Sequence, residues 1–364
     1  MLTHLKKFTV QLLTGANVAT VLLMLLVGYS DRVYPATHPL VSIVGMTFPF
    51  FLAVNMVFLL MWLLLKWTRA WIPVVGYLLA YVPISIYIPL NGPGHDEDAT
   101  VKVVSWNVCT YGGNFKYENG FAVICDYLKR QDADIVCLQE DVDSWRRFVF
   151  QEYAGKYPYN DTLVFHNTKA CMNGVGIHSK FPILRKERIP YESNANGSVA
   201  FYLKKGDDTL LVINNHLEST HLTLSDRTNY QEMISGKMGR DTIRTESRLL
   251  LSKLSSAAVK RASQAEAVHR YIAEHSQYPI IVCGDFNDTP ISYARHTIGQ
   301  GLTDCFAAVG NGLGLSFIQK GYFFRIDHIF CSDDFEPVRC EVDPEIDYSD
   351  HQPIICWLKK REKP

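Results

Sequence analysis

The chain carries almost no net charge: 36 Lys and Arg stand against 37 Asp and Glu over 364 residues, a formal charge of −1. The five basic and four acidic residues before Ala99 leave the rest nearly neutral as well. A protein that draws its affinity mainly from nucleic-acid phosphates has a basic surface, so this balance counts against a dedicated DNA enzyme. Cysteine is missing before Cys109. The nine present show no Cys-x-x-Cys or Cys/His ligand spacing, which argues against a structural zinc site. Several, including Cys137, Cys283, Cys331 and Cys356, sit inside apolar runs, where a free thiol behaves as a small buried hydrophobe. No internal repeat or low-complexity segment is present. Asp, Glu, Lys and Arg are absent from three long runs, Phe8–Tyr29, Leu40–Leu65 and Trp71–Leu90, so nothing in them suggests a proton relay or ion path.

Those runs are apolar on all sides, and each is long enough to cross the roughly 30 Å hydrocarbon layer, which takes about 20 helical residues. Three transmembrane helices are therefore expected within residues 1–90. Lys6 and Lys7 precede the first run and Lys66 and Arg69 separate the second from the third, whereas Arg32 in the first loop is offset by Asp31. The positive-inside rule places the N-terminus and the second loop in the cytoplasm, and everything after the third span outside. Cleavage of the first run as a signal peptide near Ser30 is an alternative that leaves the later orientation unchanged. The odd number of thiols weighs slightly against an exported domain. Residues 91–98, Asn-Gly-Pro-Gly-His-Asp-Glu-Asp, read as a polar linker. Residues 99–364 then have an ordinary size for one domain with a substantial core.

The most informative stretch of that domain is Cys283-Gly284-Asp285-Phe286-Asn287-Asp288-Thr289-Pro290, entered from the apolar run Tyr278–Val282. If the strand runs on, Asp285 and Asn287 face the same way, as residues two apart do. Such a pair suits a site that binds phosphate, holds a water and touches a hard metal ion. The plain alternative is an Asx turn closing a strand. Five further segments accompany it: Val101–Asn107, Ala133–Glu140, Leu210–Ser219 with His216, Arg325–Ile329 with Asp327 and His328, and Tyr348–Pro353 with Asp350 and His351.

In this order the six segments resemble the endonuclease/exonuclease/phosphatase superfamily, the deoxyribonuclease I-like metal-dependent phosphoesterases. The resemblance spans residues 99–360. It implies an α/β domain of four layers, two mixed β-sheets face to face with helices outside. It also implies Mg²⁺ as cofactor, with Mn²⁺ able to substitute, because phosphoester oxygens repel a nucleophile until a hard cation neutralises them. Glu140 would be the principal metal ligand, with Asn107 beside it as oxygen ligand or orienting group, and Asp350 facing the metal or the attacking water. Asp285 would position and deprotonate the water, Asn287 would hold phosphate or water, and His216 would contact a non-bridging oxygen or protonate the leaving group. Asp327 would hydrogen-bond His351 and favour its charged form. Arg325 is assigned to substrate contact, and His328 to a structural role. Which group is base and which acid stays open. One position departs from the pattern: nuclease members often have an acid two residues after the first asparagine, and here Cys109 stands there, read as a buried thiol rather than a soft ligand.

The implied activity is metal-dependent hydrolysis of a phosphoester by a membrane-anchored enzyme. The substrate is a nucleic acid, a phospholipid head group or a small phosphate ester; the lipid bilayer is the other expected partner, and no protein partner is inferred. An extracytoplasmic phospholipid phosphodiesterase of the sphingomyelinase kind is the runner-up, and a non-catalytic tethered binding protein the rival from another class. The intact polar set argues against that rival.

Strand candidates are Val101–Trp106, Ile135–Gln139, Thr162–His166, Val175–Ser179, Val199–Lys204, Thr209–Asn215, Ile280–Cys283, Phe323–Cys331 and Pro353–Leu358. Between Glu218 and Tyr278 lies an insertion ending in a helical stripe of Leu250, Leu254, Ala258, Ala262, Ala265, Val268 and Ile272, read as core packing. Earlier in it, Arg227, Lys237, Arg240, Arg244 and Arg248 read as a solvated face that can also meet an anionic substrate.

Overall fold

A computed structural model describes residues 2–94, 96–113, 119–141, 155–168, 171–193, 195–220, 222–319 and 322–361. The apolar N-terminal runs form helices α1 (Leu2–Gly28) and α2 (Phe48–Leu65), followed by α3 (Trp71–Leu79) and α4 (Tyr81–Tyr87). Two segments, His4–Arg32 and Val41–Leu65, are long and apolar enough to cross a membrane. The third expected span is broken: α3 and α4 meet at a 65° bend, and they make one span only if the bent pair is counted together. Leu12, Leu22, Leu26, Leu60, Leu64 and Leu65 point outward, as on a lipid-facing surface. The inner faces carry a polar contact instead. Asn17 and Asn55 are fully buried, Asn17 Nδ2 donates to Asn55 Oδ1 at 3.2 Å, and Trp62 Nε1 donates to Asn17 Oδ1 at 2.9 Å. Hydrogen bonds of this kind join helices where no water competes.

The rest is a sandwich of two six-stranded mixed sheets. The first has the order β13-β14-β1-β2-β4-β3, with β1 (Val101–Asn107), β2 (Ile135–Gln139), β3 (Tyr159–Thr168), β4 (Cys171–Ser179), β13 (Phe335–Val342) and β14 (Ile354–Lys360). The second runs β5-β6-β7-β8-β12-β9, with β5 (Ile183–Arg188), β6 (Gly197–Lys205), β7 (Asp208–His216), β8 (Ile280–Asp285), β9 (Thr303–Asp304) and β12 (Asp327–Cys331). A separate hairpin pairs β10 (Phe317–Gln319) with β11 (Tyr322–Phe324). The expected strand Phe323–Cys331 is thus two strands, because the chain leaves β11 and re-enters the second sheet at Asp327.

Alternation along the strands makes three cores. Val103, Ile135, Cys137 and Val175 of the first sheet meet Phe201, Val212, Ile281 and Cys283 of the second in the middle layer. Trp106, Val136 and Leu138 pack under α5 (Gly120–Gln131). After the short α6 (Leu224–Ile234) comes α7 (Arg240–Glu274), under which Ile213, Val282 and Phe330 pack through Ala265, Val268 and Ile272. The order helix, sheet, sheet, helix follows, as the four-layered expectation requires. The helical stripe of the insertion divides: Ala258, Ala262 and Ala265 are buried, whereas Leu250 and Leu254 are half-buried at the mouth of a cleft. The eight cysteines whose surroundings are described are buried.

The helical region is seated on the sandwich. Ile291 joins the cluster of Met24, Val27, Phe48 and Tyr87. A Cβ on Gly45 would lie 2.0 Å from the Ile291 carbonyl oxygen, so only glycine lets the 3-10 segment Val41–Thr47 come this close. His296 faces Asp31 at 3.6 Å, and the Asn91 N–H donates to Asn311 Oδ1 at 2.8 Å. Arg325, assigned to substrate contact, has a different place. Its guanidinium donates to the carbonyls of Leu313 and Ile86 and lies 4.3 Å above the Phe306 ring. Buried at 2% exposure, it ties α4 to the sandwich and lines no part of the cleft described below.

Candidate active site

Strand direction gathers the polar residues at one edge of the sandwich. Strands β1 and β2 are parallel neighbours, as are β7 and β8, so Asn107, Glu140, His216 and Asp285 all stand where strands end. Strands β12 and β14 run opposite to β8 and β1, which brings the start of β12, Asp327, beside Asp285 and sets His351 just before β14. Parallel chain ends and antiparallel chain starts therefore share one edge.

Asp285 is the centre. Its Oδ2 lies 3.1 Å from Asn107 Nδ2, 3.7 Å from His216 Nε2 and 3.6 Å from His351 Nε2. Its Oδ1 accepts the Asn287 N–H at 2.8 Å. Asn287 has a φ of +52° and its Nδ2 donates to the Leu217 carbonyl at 3.0 Å. The expected same-face pairing along a strand is therefore corrected. The strand stops at Asp285, and an Asx-type turn, tolerated by asparagine in the left-handed region, brings Asn287 to the cleft. Burial raises the Asp285 carboxyl above its ordinary range, against the pull of the two histidines.

His351 Nδ1 donates to Asp327 Oδ2 at 2.8 Å, the bond expected from the sequence. Burial opposes a charge on His351, but Asp327 and Asp285 outweigh it and lift the imidazole to about 10. The ring is an imidazolium at neutral pH. His216 is the opposite case: burial lowers it below its ordinary value, and Asn173 Oδ1 lies 3.2 Å from its Nδ1, leaving Nε2 toward Asp285. His328, with Nε2 3.2 Å from the Asp288 carbonyl, is pushed by burial down to about 3 and stays neutral, in keeping with a structural role.

Glu140 follows β2 with a φ of +54°. Burial first, and the Asp350 carboxylate second, push it up to about 7. Asn107 Nδ2 donates to Glu140 Oε1 at 3.3 Å, while Asn107 Oδ1 accepts the Cys109 N–H at 3.0 Å. Both expectations for Asn107 stay open, since its oxygen keeps a second lone pair beside the bond to its own loop while its Nδ2 orients Glu140 and Asp285. Cys109 is buried at 5% exposure and does not line the cleft. Asp350 does line it, with Oδ2 accepting from Gln319 Nε2 at 2.7 Å.

Two carboxylate groupings bear on where a cation can sit. Asp285, Asp327 and His351 have ligand atoms within 4.8 Å of one another. The short Asp327–His351 bond and the imidazolium it maintains leave that ring no free lone pair. Glu140 and Asp350 repel each other in a buried cleft, and oxygen-only donors suit a hard cation such as Mg²⁺. The residues present fit a divalent metal there.

Asn173, which turns His216, escaped sequence reasoning, as did the layer beneath the site. Gln139 Nε2 donates to Asn214 Oδ1 at 2.6 Å, and Asn214 Nδ2 donates to the carbonyls of Leu138 and Gly176, linking the sheets. A signal was present in Asn173-Gly174-Val175-Gly176: glycines two apart in a strand mark a close approach. Asp141 fills that space, and a Cβ on Gly176 would lie 2.0 Å from its Oδ2.

The cleft over these groups holds about 290 Å³ and is lined by Asn107, Glu140, His216, Asp285, Asp350 and His351, among others. Comparison with known proteins yields two family models: one described as the Endonuclease/Exonuclease/phosphatase family over residues 104–351, and a domain of unknown function over residues 10–87. The comparison with curated proteins matched none. Among solved structures, the endonuclease/exonuclease/phosphatase from Bacteroides vulgatus is 18% identical, with a TM-score of 0.51, covering 72% of this chain and 99% of its own. Humanized D. rerio TDP2 is 16% identical, with a TM-score of 0.51 and coverage of 71% and 98%. The human Nocturnin catalytic domain with bound sulfate is 15% identical, with a TM-score of 0.51 and coverage of 72% and 94%. These likenesses concern the fold.

Proposed function

This chain belongs to the endonuclease/exonuclease/phosphatase family, and from that premise we propose that it is a membrane-anchored hydrolase of phosphoester bonds dependent on Mg²⁺ or Mn²⁺. The observation that carries the reading is the convergence on one Asp285 carboxylate of Asn107, His216 and the Asp327–His351 pair, with Glu140 alongside. Glu140 and Asp350 would hold the metal, which supplies neutralisation of the phosphate charge when bound. Asp285 orients a water and takes its proton as the water oxygen bonds to phosphorus and the leaving oxygen departs. His351, charged at neutral pH, lies against the non-bridging oxygens. His216 shares the same edge, and Asn287 holds the turn that aims Asp285. The experiment is a substrate panel with the full chain in detergent: DNA, RNA, phospholipid, inositol phosphate and an aryl phosphodiester. Hydrolysis of one class that chelator abolishes is the expected result. No turnover in Mg²⁺ or Mn²⁺, or turnover indifferent to chelator, would sink the reading.

Docking contacts support a location too. The loop after α1 touches α8 (Tyr293–Ile298) through Asp31 and His296, and Ile86 near the end of α4 meets Arg325. If α1 and α2 both cross, both contacts fall on one side only when the bent α3–α4 pair crosses as well. The sandwich then sits opposite Lys6, Lys7, Lys66 and Arg69, on the extracytoplasmic face by the positive-inside rule. A reporter fused after Pro364 is expected to be active in the extracytoplasmic space and one fused near Lys66 in the cytoplasm. The reverse pattern would overturn the orientation.

A further inference from the structure

Beside its polar floor the cleft has an apolar wall, and part of that wall comes from the helical region. Ile43 and Met46, of the 3-10 segment Val41–Thr47, line the same space as Glu140, Asp285 and His351. Leu222, Leu250, Leu254 and Phe324 add to that wall. Cleaving a phosphoester needs none of this aliphatic surface, whose removal from water is favourable by about 25 cal/mol per Å² when a hydrocarbon covers it. The close approach at Gly45 holds Ile43 and Met46 in place against the chain that follows the Asp285 turn.

The cleft's rings already touch neighbours. Tyr230 and Tyr322 pack on each other at 4.9 Å, and Phe317 meets the His351 edge at 5.0 Å and the Arg227 guanidinium at 5.9 Å. The segment carrying Ile43 and Met46 is the start of Val41–Leu65, one of the two segments long and apolar enough to cross a membrane, so the wall is continuous with surface that a bilayer would cover.

We propose that the substrate is an amphiphilic phosphoester drawn from the bilayer, its phosphate on the polar floor and a hydrocarbon chain against Ile43, Met46, Leu250 and Leu254, and that segment 41–47 selects for that chain. This assignment rests on the cleft being a phosphoester-hydrolysing site. Arg227 and Arg261 also line the cleft, the latter paired with Asp288 at 2.9 Å.

The test compares p-nitrophenyl hexadecyl phosphate with p-nitrophenyl methyl phosphate, read as nitrophenol release by the full chain in nonionic micelles with Mg²⁺. The hexadecyl ester is expected to have a kcat/KM at least about tenfold higher, the gain from burying only a few methylenes. Met46→Ser, at a half-exposed position that the fold tolerates, should bring the ratio toward one, and Ile43→Ala should lower it. Because the micelles are the same for parent and variants, partitioning cannot account for a shift in that ratio. Equal kcat/KM for the two esters, or a ratio unmoved by both substitutions, overturns the assignment and leaves the phosphoesterase reading standing. So does faster turnover of a single-stranded oligonucleotide than of the hexadecyl ester, which points to nucleic acid instead. Absence of metal-dependent turnover of every probe overturns the underlying reading and the assignment with it.

Discussion

Glu140→Gln is expected to lower kcat by roughly three orders of magnitude while the protein stays folded, since several kcal/mol of charge stabilisation at the phosphate depend on the metal it would hold. The substitution keeps the side-chain size and the hydrogen bond from Asn107 but removes the charge. Metal binding, followed by calorimetry with Mn²⁺, should weaken in parallel. A second readout separates a ligand from a merely structural group. Burial and Asp350 raise the Glu140 carboxyl to about 7 from an ordinary value of 4.5. A raised folded-state value means that its contribution to stability is fully present below about 4.5 and lost as pH climbs through about 7. Without metal, the Gln variant should therefore melt higher than the parent above pH 7, with the difference vanishing in acid. Added Mg²⁺ should restore the parent and not the variant. Turnover equal to the parent's, or a melting difference independent of pH, would remove Glu140 from the metal site.

Asp285→Asn and His351→Gln should each cost about three orders of magnitude or more, and together scarcely more than either alone, because groups that act on one water and one phosphate fail as a unit. The geometry predicts the coupling directly. Asp285 Oδ2 and His351 Nε2 are 3.6 Å apart, and the imidazolium exists because Asp327 and Asp285 flank it. Losses that add in a double-mutant cycle would mean that the two residues serve separate steps. Asp327→Asn is the informative companion: it should lower the His351 pKa and shift the alkaline limb of the rate profile to lower pH.

The strands were legible where alternation and length agree. Ile135–Gln139 has the expected bounds, and Val101–Asn107 extends its expected range by one residue. Strands Ile183–Arg188, Phe317–Gln319, Thr303–Asp304 and Phe335–Val342 escaped because they are polar, short or at sheet edges, where partners rather than composition decide. The Asp327–His351 bond was foreseeable from two motifs in order, whereas the role of Arg325 was not. An arginine two residues before Asp327 would share its face on a continuous strand, but Arg325 and Ile326 belong to neither β11 nor β12, a break that the motif does not announce.

By itself, the sequence determined which oxygen and imidazole groups exist, that they fall at strand ends, and that the first ninety residues hold runs apolar enough to cross a membrane. Those are local properties, set by residue type and by a period of two or of 3.6. Tertiary structure alone decided where the groups meet and what covers them. Opposed strand directions bring residues 107, 140, 216, 285, 327 and 351 to one edge, and the close approach at Gly45 lays Ile43 and Met46 over that edge. No local period encodes a contact between residues nearly 250 positions apart. Which partners meet there depends on how both sheets and the helices fill the same volume.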